Sequence, residues 1–324
     1  MLPKFTYSRP SSLDEAVTVL SDRPAVIHGG GTDLLGCLRD GIFDAETLVS
    51  LSGIPGLEGI TRTADGGLRI GALTSVAEVA SDTAVAEHYA VLSDAAKVVA
   101  SPQLRNQGTI AGNLCQKPRC WYYRGDFHCL RKGGEKCFAY EGENHYHCIL
   151  GGDMCYIVHP SDTAPALVAL GAVARVAGAA ASRSVPVEKL HMPPSEDPQR
   201  ETVLAADEVL TEIVVPSPGP GLRSSYRKVR ARGSWDFALA GVALAIVFDG
   251  DTVRSARIFL SGAAPVPWRS KATEKAIVGT TLDTATIEKA AAATVAGAEP
   301  LSQNGYKVAL FEGLMTEQLE AIRG

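Results

Sequence analysis

Cysteine side chains that could bind a metal are concentrated in one part of this sequence. The chain has seven cysteines, and six of them fall between residues 115 and 155: Cys115, Cys120, Cys129, Cys137, Cys148 and Cys155. Disulfides are typical of small secreted chains, whereas clustered thiols in a larger protein more often bind metal. The spacing therefore favours a metal site. Histidines in the same window leave both a Cys/His zinc site and an iron–sulfur cluster open.

A run of three glycines could hold a phosphate group. Gly29–Gly31 follow a predicted strand, Ala25–His28, and precede a predicted helix, Leu34–Arg39. Such a turn can direct several main-chain N–H groups to one point, where the helix start adds a partial positive charge. The Walker and GxGxxG spacings are both missing, so an ordinary tight turn is an equal alternative. Because Asp33 would repel a phosphate, we expect its carboxylate to cap the helix or to bind sugar hydroxyls.

Three further segments contain groups that could contact a ligand. The segment Ser101–Leu114 has small residues that allow the backbone to approach a ligand closely, although a glycine-containing strand edge would look the same. Ser161 and Asp162 stand directly before an apolar helix, where a simple capping pair is the alternative to a ligand contact. The basic strand Tyr226–Val229 is by default a solvated face.

Hydrophobic periodicity predicts the elements that would position these segments. The predicted helices after the glycine run are Ser75–Ser81, Ala84–Ala100, Ala164–Leu170, Ala285–Ala298 and Gly305–Ile322. The further predicted strands are Thr47–Leu51, Leu68–Ala72, Ala172–Val176, Ile213–Val215, Tyr226–Val229, Leu239–Phe248 and Val253–Leu260. The cysteine window lacks periodicity, which is typical of a long insertion that binds something. The Pro/Gly segment Pro216–Gly221 is the predicted domain boundary.

Composition excludes several classes of protein. A chain of 324 residues with 46% hydrophobic and 21% charged residues has enough apolar material for two or three globular domains. Its formal charge of −5 argues against a dedicated nucleic-acid binder. No apolar run reaches membrane-spanning length, and the N-terminus has no apolar signal core. We therefore expect a cytoplasmic chain with no membrane span, with export beside a signal-bearing partner as the other possibility.

Four segments, taken in this order, resemble the FAD-binding (medium) subunit of the molybdenum hydroxylases. They are GGGTDLL, RNQGTIAGNL, PSDTAPAL and YRKVRARGSWDFALAGVA. That family contains xanthine dehydrogenases, aldehyde oxidoreductases, carbon monoxide dehydrogenases and 4-hydroxybenzoyl-CoA reductases, and the resemblance extends over essentially the whole chain. It implies an α+β fold with a two-part FAD-binding domain of the PCMH type. This domain would have a small α/β subdomain at 1–58 and a larger mixed α+β subdomain at 59–216, followed by a C-terminal α+β domain at 222–324 with an antiparallel sheet and helices.

The resemblance also implies which residues bind FAD. Main-chain amides of the first segment would wrap the pyrophosphate: Ile27, His28, Gly29, Gly30, Gly31, Thr32, Asp33 and Leu34. The second segment would line the other side of the cofactor with Gly108, Thr109, Ile110, Ala111, Gly112 and Asn113. Asp162 would contact the flavin, Leu210 would pack on it and Lys228 would reach it from its strand. Val99 stands where some relatives place an aromatic side chain over the flavin.

The cysteine-rich insertion, at about residues 115–156, resembles one in 4-hydroxybenzoyl-CoA reductase and in a group of bacterial aldehyde oxidoreductases. There it carries a 4Fe–4S cluster, which needs four thiolates. The resemblance implies Cys120, Cys129, Cys137 and Cys155 as ligands, with Cys148 as the spare and Cys115 as a small packed residue. Since Cys120 comes seven residues after Asn113 and Cys155 seven before Asp162, a metal centre there would lie near the flavin. A zinc ion in that place would be only structural.

The resemblance implies an electron-transfer function, and we assign no catalytic acid, base or nucleophile to this chain. The partners would be a large subunit with molybdopterin, where substrate chemistry occurs, and a small subunit with two 2Fe–2S clusters, together a heterotrimer. FAD would pass electrons from the small subunit to an external acceptor in a complex that oxidises an aldehyde or an N-heterocycle. In a reductase of the 4-hydroxybenzoyl-CoA type the flow would be reversed. A self-contained FAD oxidase and a zinc-stapled scaffold subunit are the alternatives.

Overall fold

Three β-sheets organise the computed structural model, which describes residues 1–323. The first is parallel, with the order β1-β3-β2: β1 (Thr6–Ser8), β2 (Ala25–His28) and β3 (Thr47–Ser50). The second is antiparallel, with the order β4-β5-β8-β6-β7: β4 (Ile60–Arg62), β5 (Leu68–Gly71), β6 (Val173–Ala177), β7 (Arg183–Pro186) and β8 (Val209–Val215). The third is also antiparallel, with the order β12-β11-β10-β9: β9 (Leu222–Val229), β10 (Ala240–Asp249), β11 (Thr252–Ser261) and β12 (Trp268–Arg269).

Twelve α-helices within residues 1–323 surround these sheets. In the first half of the chain they are α1 (Leu13–Asp22), α2 (Leu34–Arg39), α3 (Val76–Ser81), α4 (Thr83–His88), α5 (Ala90–Lys97), α6 (Pro102–Gln107), α7 (Ile110–Leu114) and α8 (Trp121–Arg124). In the second half they are α9 (Thr163–Ala169), α10 (Lys271–Ile277), α11 (Thr284–Ala292) and α12 (Tyr306–Arg323). The predicted α+β class is confirmed. No helix in this part of the chain combines the length and apolar character needed to cross a membrane.

The predicted helix Ala84–Ala100 is wrong as one element, because the structure divides it at Tyr89. Asp82 caps α4 by accepting a hydrogen bond from the N–H of Val85, and the backbone then leaves helical geometry at Tyr89. The Tyr89 side chain is fully buried, and its hydroxyl donates to the carbonyl of Pro216 at 2.9 Å. Anchoring this tyrosine turns α5 away from α4. Periodicity alone cannot detect such a break, since both short helices are apolar on the buried side.

Most other predicted elements form within a few residues of their expected ends. The predicted strand Ile213–Val215 begins earlier, at Val209, because β8 pairs with both β5 and β6 and so is extended over seven residues. The predicted helix Ala285–Ala298 ends at Ala292. The predicted boundary Pro216–Gly221 lies between β8 of the second sheet and β9 of the third. The three domain ranges expected from the sequence stay predictions.

Helices cover the third sheet on both faces. One face contributes Ala243, Ala245 and Phe259 to a core shared with α5 and α9, and the other packs against α10, α11 and α12. Strand β10 is therefore buried on both sides, which explains its unbroken run of apolar residues. This shared core brings the C-terminal sheet against the helices that follow the glycine run, and it fixes the position of the loop between β9 and β10.

The cysteine-rich insertion has little regular structure, as predicted, with α8 and a 3₁₀ turn at Leu130–Lys132. It is nevertheless anchored to the C-terminal part of the chain. The N–H groups of Ile149 and Leu150 both donate to the carbonyl of Ala263, at 2.9 and 3.0 Å. The Asn304 side-chain amide donates to the carbonyls of the adjacent residues His147 and Cys148, at 3.1 Å each. These main-chain contacts hold the loop in place without a helix or strand of its own.

Candidate functional site

A cavity of about 720 Å³ lies where the β2–α2 loop, α7, β8 and the β9–β10 loop meet. Its size falls in the range of small-molecule and cofactor sites. Fifteen of the eighteen residues predicted to bind FAD line it: Ile27, Gly29, Gly30, Gly31, Thr32, Asp33, Leu34, Val99, Gly108, Thr109, Ala111, Gly112, Asn113, Asp162 and Leu210. The other three do not. His28, Ile110 and Lys228 lie outside the set of described residues that form the cavity wall.

The glycine run leaves a group of main-chain donors without partners. Within residues 1–323, none of the N–H groups of residues 29–34 donates a hydrogen bond to a protein acceptor. Main-chain N–H groups in a folded protein are nearly always paired with protein or solvent, so consecutive free donors on a cavity wall fit an anionic ligand. The donor set thus suits the pyrophosphate of FAD. The alternative that the sequence left open, an ordinary tight turn, does not require so many main-chain N–H groups without partners.

Two of these glycines are required by close contacts. A Cβ added at Gly30 would lie 2.9 Å from the carbonyl carbon of Gln107 and 3.1 Å from the Cα of Gly108, both main-chain atoms. Gly31 has φ +71°, a left-handed conformation that disfavours other residues. Gly30 thus allows the first loop to touch the second, and Gly31 allows the chain to turn into α2.

The predicted capping role of Asp33 is wrong. Asp33 stands at the N-cap of α2, yet its side chain makes no capping hydrogen bond. Its carboxylate instead accepts hydrogen bonds from the guanidinium groups of Arg119 and Arg124 and from the N–H of Lys117. Burial raises the pKa of this carboxyl, but the two arginines outweigh that effect and the net pKa is lowered. Asp33 is therefore a carboxylate paired with the start of the insertion.

The second segment forms two short helices, α6 and α7, so the strand-edge alternative is wrong. Thr109 caps α7 through its hydroxyl, which accepts a hydrogen bond from the N–H of Gly112 at 3.1 Å. The N–H groups of Ile110, Ala111 and Asn113 are also bonded to protein carbonyls. This segment therefore lines the cavity mainly with small residues and offers fewer free main-chain donors than the first.

Asp162 belongs to a buried network at the cavity wall. Its carboxylate accepts hydrogen bonds from the hydroxyl of Tyr226 at 2.8 Å and from Nζ of Lys228 at 2.7 Å. Ser161, not Asp162, caps α9, by accepting a hydrogen bond from the N–H of Ala164. Lys228, predicted to reach the flavin, contacts Asp162 and the carbonyl of Val98. Lys228 therefore holds Asp162 in place from behind the cavity wall.

The Lys228→Met variant is expected to lower the free energy of unfolding by about 3 kcal/mol, because it leaves the buried Asp162 carboxylate without its counter-ion. Denaturant unfolding of the full chain measures this. Arg227→Met is the matched control, since Arg227 precedes Lys228 on β9 but pairs with Glu317 at the exposed surface. That control should stay within about 0.5 kcal/mol of wild type. Equal losses in the two variants would contradict a buried ion pair at Asp162.

The four cysteines predicted as cluster ligands line one small cavity inside the insertion. Its wall contains Cys120, Cys129, Cys137 and Cys155, and neither Cys148 nor Cys115. All seven cysteines are free thiols. No group of three or more His, Cys, Asp or Glu side chains in the described part of the chain is placed to hold a single metal ion. The four thiols therefore share a cavity without converging on one point.

Local contacts give these thiols different acidities. The contact between the side chains of Cys137 and Cys155 lowers the pKa of Cys137 to about 6 and raises that of Cys155. Burial raises the pKa of Cys120 to about 11, and its Sγ lies 3.2 Å from Nε2 of His147. Aromatic rings enclose this group, with Tyr122 and Phe138 stacked at 6.1 Å. The surroundings are thus dry and thiol-rich.

Sequence reasoning missed several residues of the larger cavity. Trp235, Asp236 and Phe237 reach it from the β9–β10 loop, and Lys117 and Arg119 reach it from the start of the insertion. Trp235 and Phe237 lie within the fourth segment that carries the family resemblance, so the sequence did contain a signal for these two aromatic residues. Nothing in the local sequence marked Lys117 or Arg119, because their proximity to the cavity depends on contacts with distant residues.

Backbone strain also marks this cavity. Only two residues other than glycine have positive φ within residues 1–323, Ala100 at 43° and Trp235 at 53°. Both line the cavity, and the N–H of Trp235 donates to the carbonyl of Ala100 at 2.9 Å. Strained conformations of this kind concentrate at functional sites.

Two family models match the chain, one for each part of the fold. The model described as the FAD-binding domain in molybdopterin dehydrogenase matches residues 3–218. The model described as the carbon monoxide dehydrogenase flavoprotein C-terminal domain matches residues 224–321.

Individual relatives match over nearly the whole length. The FAD-binding subunit PaoB of an aldehyde oxidoreductase of Escherichia coli K12 is 36% identical over 328 residues, covering 98% of each chain. The medium chain of carbon monoxide dehydrogenase of Hydrogenophaga pseudoflava is 28% identical, covering 98% of this chain and 97% of the relative. A solved structure of carbon monoxide dehydrogenase from the same organism superimposes with a TM-score of 0.78 at 27% identity, covering 99% of this chain and 98% of that one.

Proposed function

This chain belongs to the family with the FAD-binding domain of molybdopterin dehydrogenases, and we propose that it is the electron-transfer flavoprotein subunit of a molybdenum hydroxylase complex. The observation that carries this proposal is the row of unbonded N–H groups at residues 29–34 on the wall of a cofactor-sized cavity. The partners are a large molybdopterin-binding subunit, where substrate is converted, and a small subunit with 2Fe–2S clusters.

Each wall of the cavity has a distinct task toward FAD. The main-chain donors of residues 29–34 bind the pyrophosphate, and Ala111 and Gly112 of α7 allow close approach on the other side. Val99 and Leu210 supply apolar contact, while Asp162 forms an ion pair with Lys228. When bound, FAD exchanges one or two electrons, which suits a subunit between one-electron clusters and an external acceptor.

We further propose that the insertion holds a 4Fe–4S cluster. Support comes from the four cysteines that share one enclosed cavity, from their free thiols and from the aromatic shell around them. Four thiolates around a cluster do not have to meet at one ion, as the ligands of a zinc site do. Cys148 has no part in this set, because it lies outside the cavity wall.

An aldehyde or an N-heterocycle is the proposed substrate class of the complex. An aldehyde is favoured, because PaoB, at 36% identity, is a subunit of an aldehyde oxidoreductase. In a reductase of the 4-hydroxybenzoyl-CoA type, electrons would run in the opposite direction through the same cavity. In either case the substrate would bind to the large subunit and not to this chain.

Metal and chromophore analysis of the full chain, purified without oxygen, tests both parts of the proposal. The expected result is bound FAD together with iron and acid-labile sulfide in equal amounts. Zinc in place of iron, with FAD retained, would overturn the cluster and leave the flavoprotein standing. A chain without FAD affinity would overturn the proposed function as a whole, and turnover of an organic substrate by the chain alone would favour the self-contained oxidase.

A further inference from the structure

Within residues 1–323, the positively charged side chains that line the larger cavity come from the insertion. Among the described residues that line it, the cations are Lys117 and Arg119, and the anions are Asp33, Asp162, Glu208 and Asp236. A ligand with a pyrophosphate brings further negative charge into this wall. Free main-chain donors can hold the phosphate oxygens, but the charge balance favours a cation beside them.

Lys117 and Arg119 differ in the hydrogen-bond donors that remain free to contact a ligand. Nζ of Lys117 forms an ion pair with Glu201. Arg119 donates from one terminal nitrogen to Asp33 and from the other to the side-chain oxygen of Gln116 at 2.9 Å. Its Nε is buried and has no hydrogen-bond partner in residues 1–323. That nitrogen has no surface open to the cavity, but each terminal nitrogen carries a second N–H without a protein partner in residues 1–323, so Arg119 keeps two donors beside the cavity.

The position of Arg119 is fixed relative to the phosphate-binding loop. Its partner Asp33 is itself one of the residues whose N–H is unbonded, so the guanidinium lies beside that row of donors. The guanidinium also packs over the ring of Phe237, with 5.1 Å between its central carbon and the ring centroid. Asp33 does not depend on Arg119 alone, because Arg124 donates to the same carboxylate oxygen at 2.8 Å.

We propose that Arg119 is a phosphate-binding residue of the FAD site, contributed by the insertion. This inference rests on the proposed function, because it takes FAD as the occupant of the cavity. The two remaining terminal N–H groups extend the donor set of residues 29–34, and the charge of the guanidinium offsets that of the pyrophosphate. Arg119 lines the flavin cavity and the next residue, Cys120, lines the thiol cavity. The start of the insertion therefore contributes to both cavities.

Comparing FAD with riboflavin separates contacts to the pyrophosphate and adenosine from contacts to the flavin, because riboflavin lacks both groups. FMN, which has one phosphate and no adenosine, then distinguishes a phosphate contact from an adenosine contact. The affinities of the deflavinated full chain for the three ligands are measured by flavin fluorescence. We expect Arg119→Met to weaken FAD binding by about tenfold to a hundredfold, the range for a charge-assisted hydrogen bond. Riboflavin binding should change by less than about twofold, and Arg119→Lys should restore part of the FAD affinity.

Arg39→Met is the matched control. Arg39 lies at the far end of α2, 62% exposed, and pairs with its neighbour Asp40. This variant should bind FAD and riboflavin as wild type does. Equal weakening of FAD and riboflavin in Arg119→Met would indicate a structural role and overturn the assignment, as would unchanged FAD affinity. Both outcomes leave the proposed function intact, whereas a wild-type chain that binds no FAD would overturn both.

Discussion

The Gly30→Ala variant should lose FAD affinity by about a thousandfold, or about 4 kcal/mol. The added methyl group would press against the main chain of Gln107 and Gly108. Main-chain atoms cannot rotate away as a flexible side chain can, so the two loops that enclose the cavity would have to separate. Separation would move the free N–H groups of residues 29–34 away from the opposite wall of the cavity. In the proposed site these groups act together on one pyrophosphate.

Gly36→Ala provides the control for Gly30→Ala. Gly36 lies six residues further along, inside α2, and a Cβ there would meet no atom within 4 Å. Since alanine is a better helix former than glycine, this variant should gain about 1 kcal/mol of stability and bind FAD normally. Equilibrium dialysis with FAD and denaturant unfolding give both numbers. Wild-type FAD affinity in Gly30→Ala would show that contact between the two loops is not needed for binding.

Replacing Cys155 with alanine should remove essentially all iron from the chain, whereas replacing Cys148 should remove none. Both thiols are buried, at 4% and 1% exposure, so the two variants lose the same volume from similarly dry surroundings. The two cysteines differ in position, because Cys155 lines the four-thiol cavity and Cys148 does not. A 4Fe–4S cluster that loses one of its four thiolates lacks a ligand.

Iron, sulfide and FAD per chain are measured for each cysteine variant after anaerobic purification. FAD should remain in Cys155→Ala, since the flavin cavity is formed by other residues, and its presence shows that the chain is folded. Iron lost from Cys148→Ala and kept in Cys155→Ala would exchange the two assignments. Iron kept in both variants would contradict a cluster held by these four cysteines.

The sequence by itself determined those parts of the protein in which neighbours in the chain are also neighbours in space. Strand β2 and helix α2 form at the predicted residues, because apolar runs and a glycine turn are local signals. The four segments that carry the family resemblance also lie in short stretches of chain. The α+β class and FAD as ligand followed from them, whereas the choice of Cys155 over Cys148 stays a prediction.

Only the tertiary structure decided which side chains meet across the chain. Asp33 was expected to cap its own helix or to bind sugar hydroxyls, but Arg124, 91 residues away, donates a hydrogen bond to its carboxylate. The expected contact of Lys228 with the flavin stays a prediction, and the partner that the fold gives its amine is Asp162, 66 residues away. Arg119 and Trp235 join the cavity through similar distant contacts. A buried charged group needs a partner of opposite charge, and that partner is whichever residue the tertiary fold places beside it. The spacing of residues in the sequence does not indicate which residue that is.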